Sequence, residues 1–175
     1  MISIRTQNLK ILVVEDNLGD YILFEEYLHD SGLDVKEVQN VISVAEAKQA
    51  LATSDYDLVF LDLSLPDSTG IQSILDLNKL AAHIPIVVLS GMEDTETTTE
   101  AIINGAQDYL IKGELDSYLL SKTIRYSIER KKNLERIKQS NERYTMVSNA
   151  IIGLVWDVDL IRKEVVRFGD SFLKT

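Results

Sequence analysis

With 175 residues, 45% of them apolar and 26% charged, the chain suits a globular fold: one full domain plus part of another. It contains no cysteine, which excludes disulfides and thiolate metal sites, and no run of about 18 apolar residues that would span a membrane. The net charge of −10 is uneven, with 6 Lys/Arg against 21 Asp/Glu in residues 1–116 and 12 against 7 in the rest, so the first part is poorly suited to nucleic acid.

In chain order, the opening MISIRTQNLK lacks the apolar centre of a secretory signal, and a cytoplasmic location is expected. Residues 10–14 (KILVV) read as a strand ending in Glu15-Asp16-Asn17. An amphipathic helix follows over Tyr21 to Leu28, its apolar positions being Ile22, Leu23, Tyr27 and Leu28, and Gly32 stops it. Residues 35–41 predict a strand. Residues 43–52 predict a helix opened by Ser43, with Glu46 placed as in a capping box. DLVFLD (57–62) is a buried strand, and a loop shaped by Pro66 and Gly70 leads to a helix near 71–81. PIVVLS (85–90) is another β-branched strand, followed by an acidic, Thr-rich helix near 94–104 that Gly105 ends. DYLIK (108–112) is the last strand, and a long helical pattern starts near Leu115. Strands alternating with helices imply a parallel sheet covered on both faces, and near-continuous apolar strands agree. The expected domain is α/β, doubly wound and five-stranded.

In such sheets ligands gather beyond the carboxyl ends of the strands. The polar residues placed there are Glu15 and Asp16, Asp62, Ser90 and Lys112. Three neighbouring carboxylates repel one another unless a cation intervenes. A hard ion with oxygen ligands meets that need, and Mg²⁺ commonly uses one or two carboxylates, waters and a phosphate. Without cysteine, and with His29 and His83 expected elsewhere in solvent, zinc is disfavoured.

Taken in order, ILVVEDN, LVFLDLSLPDSTG, PIVVLSG and AIINGAQDYLIKG resemble the response-regulator receiver family over about residues 8–123. The resemblance implies a flavodoxin-like sheet of order 2-1-3-4-5 and a phosphorelay function controlled by Mg²⁺. It implies that Asp62 accepts the phosphoryl group from a histidine kinase or phosphotransfer protein. Asp16 would be a direct Mg²⁺ ligand and Glu15 a ligand through water, with the Ser64 carbonyl completing the protein's share. Lys112 would pair with phosphoryl oxygens and Ser90 would donate a hydrogen bond to one of them. Tyr109 would be the aromatic that changes rotamer as Ser90 moves, altering the face formed by the fourth helix, fifth strand and fifth helix. Two departures stand out: Lys112-Gly113 replaces the common Lys-Pro, predicting a trans bond or a more mobile loop, and Glu15 replaces the commoner Asp.

Farther on, Leu134, Ile137, Asn141 and Tyr144 recur at intervals of 3 and 4, a short a/d seam suited to pairing with a second copy. Ile124 and Ile128 follow another phase. Arg130, Lys131, Lys132, Arg136 and Lys138 are interleaved with Glu129, Glu135 and Glu142, which reads as a solvated helix face rather than a nucleic-acid contact. Residues 143–175 resemble the start of a PAS sensor domain, with one strand around IGLVWD and a second after Arg162-Lys163. That tail is expected to expose Trp156, Val158 and Phe168. The expected organisation is a receiver over 1–123, a signalling helix over 124–143 and a PAS-like fragment over 144–175, with the natural protein continuing past Thr175.

A competing class is the Mg²⁺-dependent phosphatase of the haloacid dehalogenase type, which also uses a strand-end Asp. It needs a second Asp two residues later, where this chain has Ser64. A P-loop nucleotide enzyme is excluded, since G-x-x-x-x-G-K-[ST] is absent. A receiver is better described as a switch that catalyses its own phosphorylation and dephosphorylation than as an enzyme.

Overall fold

The computed structural model describes residues 8–91, 95–150, 155–159 and 164–168. The chain divides into two compact units, Met1–Lys132 and Asn133–Thr175.

In the first unit the strands are β1 (Leu9–Val14), β2 (Val35–Val41), β3 (Leu58–Asp62), the two-residue β4 (Ser64–Leu65) and β5 (Ser68–Thr69), β6 (Ile86–Ser90) and β7 (Asp108–Ile111). The helices are α1 (Leu18–Asp30), α2 (Val44–Thr53), α3 (Ile71–Leu80), α4 (Thr95–Ile103) and α5, which begins at Ser117. All neighbours in the main sheet are parallel, in the order β2-β1-β3-β6-β7. This numbering departs from 2-1-3-4-5 because β4 and β5 pair only with each other, in the loop between the third and fourth strands of the sheet. Sequence patterning missed them because two residues carry no measurable period.

Each face of the sheet has its own core. One gathers Leu12, Val14, Val59, Leu61 and Val88 with Ile74 and Leu77 of α3. The other gathers Ile11, Val13, Phe60 and Val87 with Phe24, Leu120, Ile124 and Ile128. Alternate residues of one strand therefore enter different cores, which is why β1, β3 and β6 are apolar at nearly every position. Phe24 meets Phe60 edge-on, with centroids 4.7 Å apart and planes at 66°.

The inward face of α1 differs from the expected one. Phe24 and Leu28 are buried, with Tyr21 and Tyr27 packed against the core, whereas Ile22 is 54% and Leu23 41% exposed. Tyr21, Phe24 and Leu28 follow the 3-and-4 interval and supply the buried face, while Ile22 and Leu23 beside them remain outside. Ile124 and Ile128 are buried in the sheet's core, which accounts for their separate phase and carries the first compact unit to Lys132.

Gly70 precedes α3 with φ 57° and ψ −134°, backbone that L-residues rarely adopt, and its N–H donates to the Leu63 carbonyl at 3.0 Å, closing the loop after β3. Gly105 follows α4 with φ 104°, and a Cβ there would stand 2.6 Å from the Asn78 side chain. No cis peptide occurs among the described residues, so Lys112–Gly113 is trans, and Lys112–Glu114 forms a single 3₁₀ turn.

In the second unit α5 continues to Ala150, and β8 (Val155–Asp159) pairs antiparallel with β9 (Glu164–Phe168). Leu134, Ile137 and Tyr144 are exposed. The side chains of Trp156, Val158 and Phe168, expected to be exposed, lie outside the described residues. No described helix is long and apolar enough to cross a membrane.

Candidate functional site

The carboxyl ends of β1, β3, β6 and β7 bring most of the expected residues to one edge of the sheet. β1 and β3 are register neighbours through Val14 and Leu61, so Glu15 and Asp62 leave adjacent strands side by side. Leu89 is the register partner of Asp62, which places Ser90 one residue farther along the neighbouring strand. Glu15, Asp62 and Ser90 are all buried, at 1%, 4% and 2% exposure, while Asp16 faces solvent. One oxygen from each of Glu15, Asp16 and Asp62 lies within 4.8 Å of the others.

Lys112 closes the site from the end of β7. Its Nζ is 2.8 Å from Asp62 Oδ2, 2.8 Å from Asp20 Oδ2 and 2.7 Å from Glu15 Oε2. The contacts to Asp62 and Asp20 are hydrogen bonds. The approach to Glu15 is an ion pair outside hydrogen-bond geometry, so the buried Oε2 has no donor. Burial would lower the Lys112 pKa, but hydrogen bonds from the ammonium to Asp20 and Asp62, with the Glu15 carboxylate 2.7 Å away, outweigh it and hold the value above the ordinary one.

Glu15 shifts the other way. Burial, reinforced by the negative charge of Asp62, outweighs the Lys112 ammonium and raises its carboxyl to about 7. A second, mobile cation is the natural remedy for this crowding, and the buried Oε2 without a donor is the kind of atom such a cation satisfies. The donor set is all oxygen, as Mg²⁺ requires. The residues therefore fit the ion.

Local sequence explains the placement. Asn17 caps α1, its Oδ1 accepting from Gly19 N at 2.9 Å and Asp20 N at 3.3 Å, while its own N–H donates to Glu15 Oε1 at 3.2 Å. The turn from strand to helix is thus tied to the buried carboxylate, and the first turn of α1 sets Asp20 beside the site. Ser64 N donates to Asp62 Oδ1 at 2.9 Å, fixing the start of the β4–β5 loop against the same carboxylate. Asp67, at the tip of that loop, accepts from Val44 N and Ala45 N, both at 2.9 Å. Ser43 Oγ accepts from Glu46 N at 3.2 Å and its carbonyl from Ala47 N at 3.0 Å, so the first four amides of α2 are all satisfied. The Glu46 carboxylate reaches Ile42 N at 3.0 Å, one residue before the cap.

Tyr109 stands apart from the cluster, 43% exposed on the edge strand β7. His29 is solvent-exposed, its Nδ1 3.2 Å from Asp30, and His83 is exposed as well. Sequence reasoning missed Asp20. The signal was the Asn17 cap, which places the first-turn residue Asp20 next to the strand end it follows.

The response regulator receiver domain family matches residues 11–124. The regulatory protein LuxO of Vibrio cholerae is 28% identical over 75% of this chain and 28% of its own length. The swarming motility regulation protein RssB of Serratia marcescens is 31% identical over 59% of this chain and 46% of its own. This chain therefore spans less than half the length of either. Among solved structures, a response regulator receiver domain protein from Clostridium thermocellum superposes with a TM-score of 0.63 at 26% identity, over 72% of this chain and 98% of that one.

Proposed function

This chain belongs to the response regulator receiver family, and from that premise we propose that Asp62 is the residue on which it receives a phosphoryl group. Receivers of this family are phosphorelay switches that interact with histidine kinases or phosphotransfer proteins and bind Mg²⁺ at an acidic pocket. The observation that carries the assignment is the convergence of Glu15, Asp16, Asp62 and Lys112 at one sheet edge, with Asp62 central and buried.

In the transfer, an Asp62 carboxylate oxygen attacks phosphorus. The P–N bond to the donor histidine breaks, its electron pair leaving with the imidazole nitrogen, and an acyl phosphate forms. The reaction needs little covalent assistance, so the site's contribution is position and charge. Asp62 is held by Ser64 N on one oxygen and by Lys112 on the other. The Lys112 ammonium offsets charge developing on the equatorial oxygens. Asp16 and Asp62, Glu15 through water and the Ser64 carbonyl would hold a Mg²⁺ ion, which would supply the remaining charge neutralisation. Water later cleaves the acyl phosphate. Ser90, buried at the adjacent strand end, hydrogen-bonds the phosphoryl group, and Tyr109 turns inward from its exposed position as Ser90 moves. The altered face is α4–β7–α5.

This is a switch rather than a turnover enzyme, and it operates in the cytoplasm. The haloacid dehalogenase reading lacks a general acid, because Ser64 occupies the required position. Residues 1–123 form the receiver, 124–143 a signalling helix and 144–175 the start of a PAS-like domain. The antiparallel β8–β9 hairpin supports the last assignment. Homodimers form through α4–β7–α5 or the exposed Leu134, Ile137 and Tyr144 seam, and sedimentation with and without beryllofluoride reads that coupling.

Incubation with acetyl phosphate and Mg²⁺ should add one phosphoryl group, seen by intact mass, and Asp62→Asn should abolish it. Sustained turnover of varied phosphomonoesters would overturn the assignment in favour of a phosphatase.

A further inference from the structure

Lys112 has three ammonium protons and three carboxylates within 2.8 Å. Asp62 and Glu15 belong to the acidic cluster, but Asp20 does not. Its carboxylate has another geometric relation to the site: it grips the lysine from the first turn of α1, where Asn17 Oδ1 fixes its backbone N–H. Its side chain remains 41% exposed.

We propose that Asp20 is a positioning residue for phosphoryl transfer, a tether that aims the Lys112 ammonium at the reacting oxygens of Asp62. The inference rests on the phosphoacceptor reading of Asp62. Lysine is a flexible four-carbon stem carrying a compact charge, and without fixed partners it samples many positions. Lys112 also follows the last strand directly and begins a 3₁₀ turn, so regular sheet structure does not restrain its Nζ. A small cavity of about 30 Å³ lies beside it, bounded by Leu23, Phe24, Leu89 and Leu115 together with Asp20 and Glu15, which leaves space to move if a partner is lost. Asp20 of α1 takes one ammonium proton and the Glu15 carboxylate adds an ion pair at 2.7 Å, and together they hold the ammonium with another proton directed at Asp62. Once Asp62 carries the phosphoryl group, that proton meets a phosphoryl oxygen, while Asp20 and Glu15 keep their hold.

The experiment compares wild type, Asp20→Asn and Asp20→Ala under saturating Mg²⁺ and acetyl phosphate, with single-exponential phosphorylation followed by intact mass. Loss of one tether should slow Asp20→Ala on the order of tenfold, since misplacement by 1 Å costs about a hundredfold. Asp20→Asn keeps an oxygen acceptor at the same reach and should recover most of the rate. The Lys112 side-chain ¹⁵N resonance, read in the Mg²⁺-free, unphosphorylated protein, should show slowly exchanging ammonium protons in wild type and fast exchange in Asp20→Ala. A purely structural role for Asp20 would shift the unfolding midpoint without altering that resonance. Equal rates in wild type and Asp20→Ala, or an unchanged resonance, overturn the tether alone. Failure of wild type itself to take up a phosphoryl group overturns the acceptor reading beneath it.

Discussion

Asp67→Ala removes the remote cap on α2 and so measures how firmly the loop after the phosphoacceptor is tied to the rest of the domain. Asp67 accepts two amide hydrogen bonds of 2.9 Å from the first turn of a helix whose N-terminus also carries a partial positive charge. Losing a capping side chain typically costs about 1 kcal/mol, within a range of roughly 0.5–2. Asp67 is exposed, so water recovers part of the loss and the lower half of that range applies. With a urea dependence of about 2 kcal/mol per molar, the unfolding midpoint should fall by about 0.5 M at pH 7. The effect should also depend on pH. Desolvation works to raise the Asp67 pKa, but the hydrogen bonds from Val44 and Ala45 outweigh it, and the value lies below the ordinary 3.8. A depressed folded pKa means stability that is complete above 3.8 and is lost as pH falls through the folded value. The gap between wild type and Asp67→Asn should therefore close in acid. Urea titrations of wild type, Asp67→Ala and Asp67→Asn at pH 7 and in acid test this. An Asp67→Ala midpoint equal to wild type at pH 7 would refute the reasoning.

Other outcomes follow from the same geometry. Mg²⁺ should raise the melting temperature, with about 2.7 kcal/mol of added stability at a hundredfold excess over its dissociation constant, and Asp16→Asn should weaken that response in thermal-shift titrations. Without metal, Glu15 is a carboxylate whose folded pKa, about 7, exceeds its ordinary 4.5, so its ionisation opposes folding increasingly as pH rises through that interval. Glu15→Gln should accordingly be more stable than wild type above pH 7, and the difference should vanish below about pH 4.5, as followed by denaturation across pH in EDTA. Phe24→Ala should cost about 3–5 kcal/mol, whereas Ile22→Ala should stay within about 0.5, because only the former empties space in the core. Similar denaturant midpoints for the two variants would contradict the assigned inward face of α1.

Several parts of this protein were written in local sequence. The apolar runs of β1, β3 and β6, the Ser43 cap and the glycines after α1 and α4 are short-range signals, because strand burial, capping and positive φ act within a few residues. The strand-end positions of Glu15, Asp16, Asp62, Ser90 and Lys112 were also legible, since a parallel sheet sends all its carboxyl ends to one edge. What tertiary structure decided was which groups at that edge touch. Asp20 joins Lys112 across 92 residues of chain and Asp67 reaches α2 across 22 and 23, and no period in the sequence encodes such distances. The inward face of α1 was decided the same way: Ile22 and Phe24 are both apolar, and only the position of Phe60 on the sheet determines which one is buried. Hydrophobicity states that a side chain gains by burial, but the partner it meets depends on a surface assembled from distant segments.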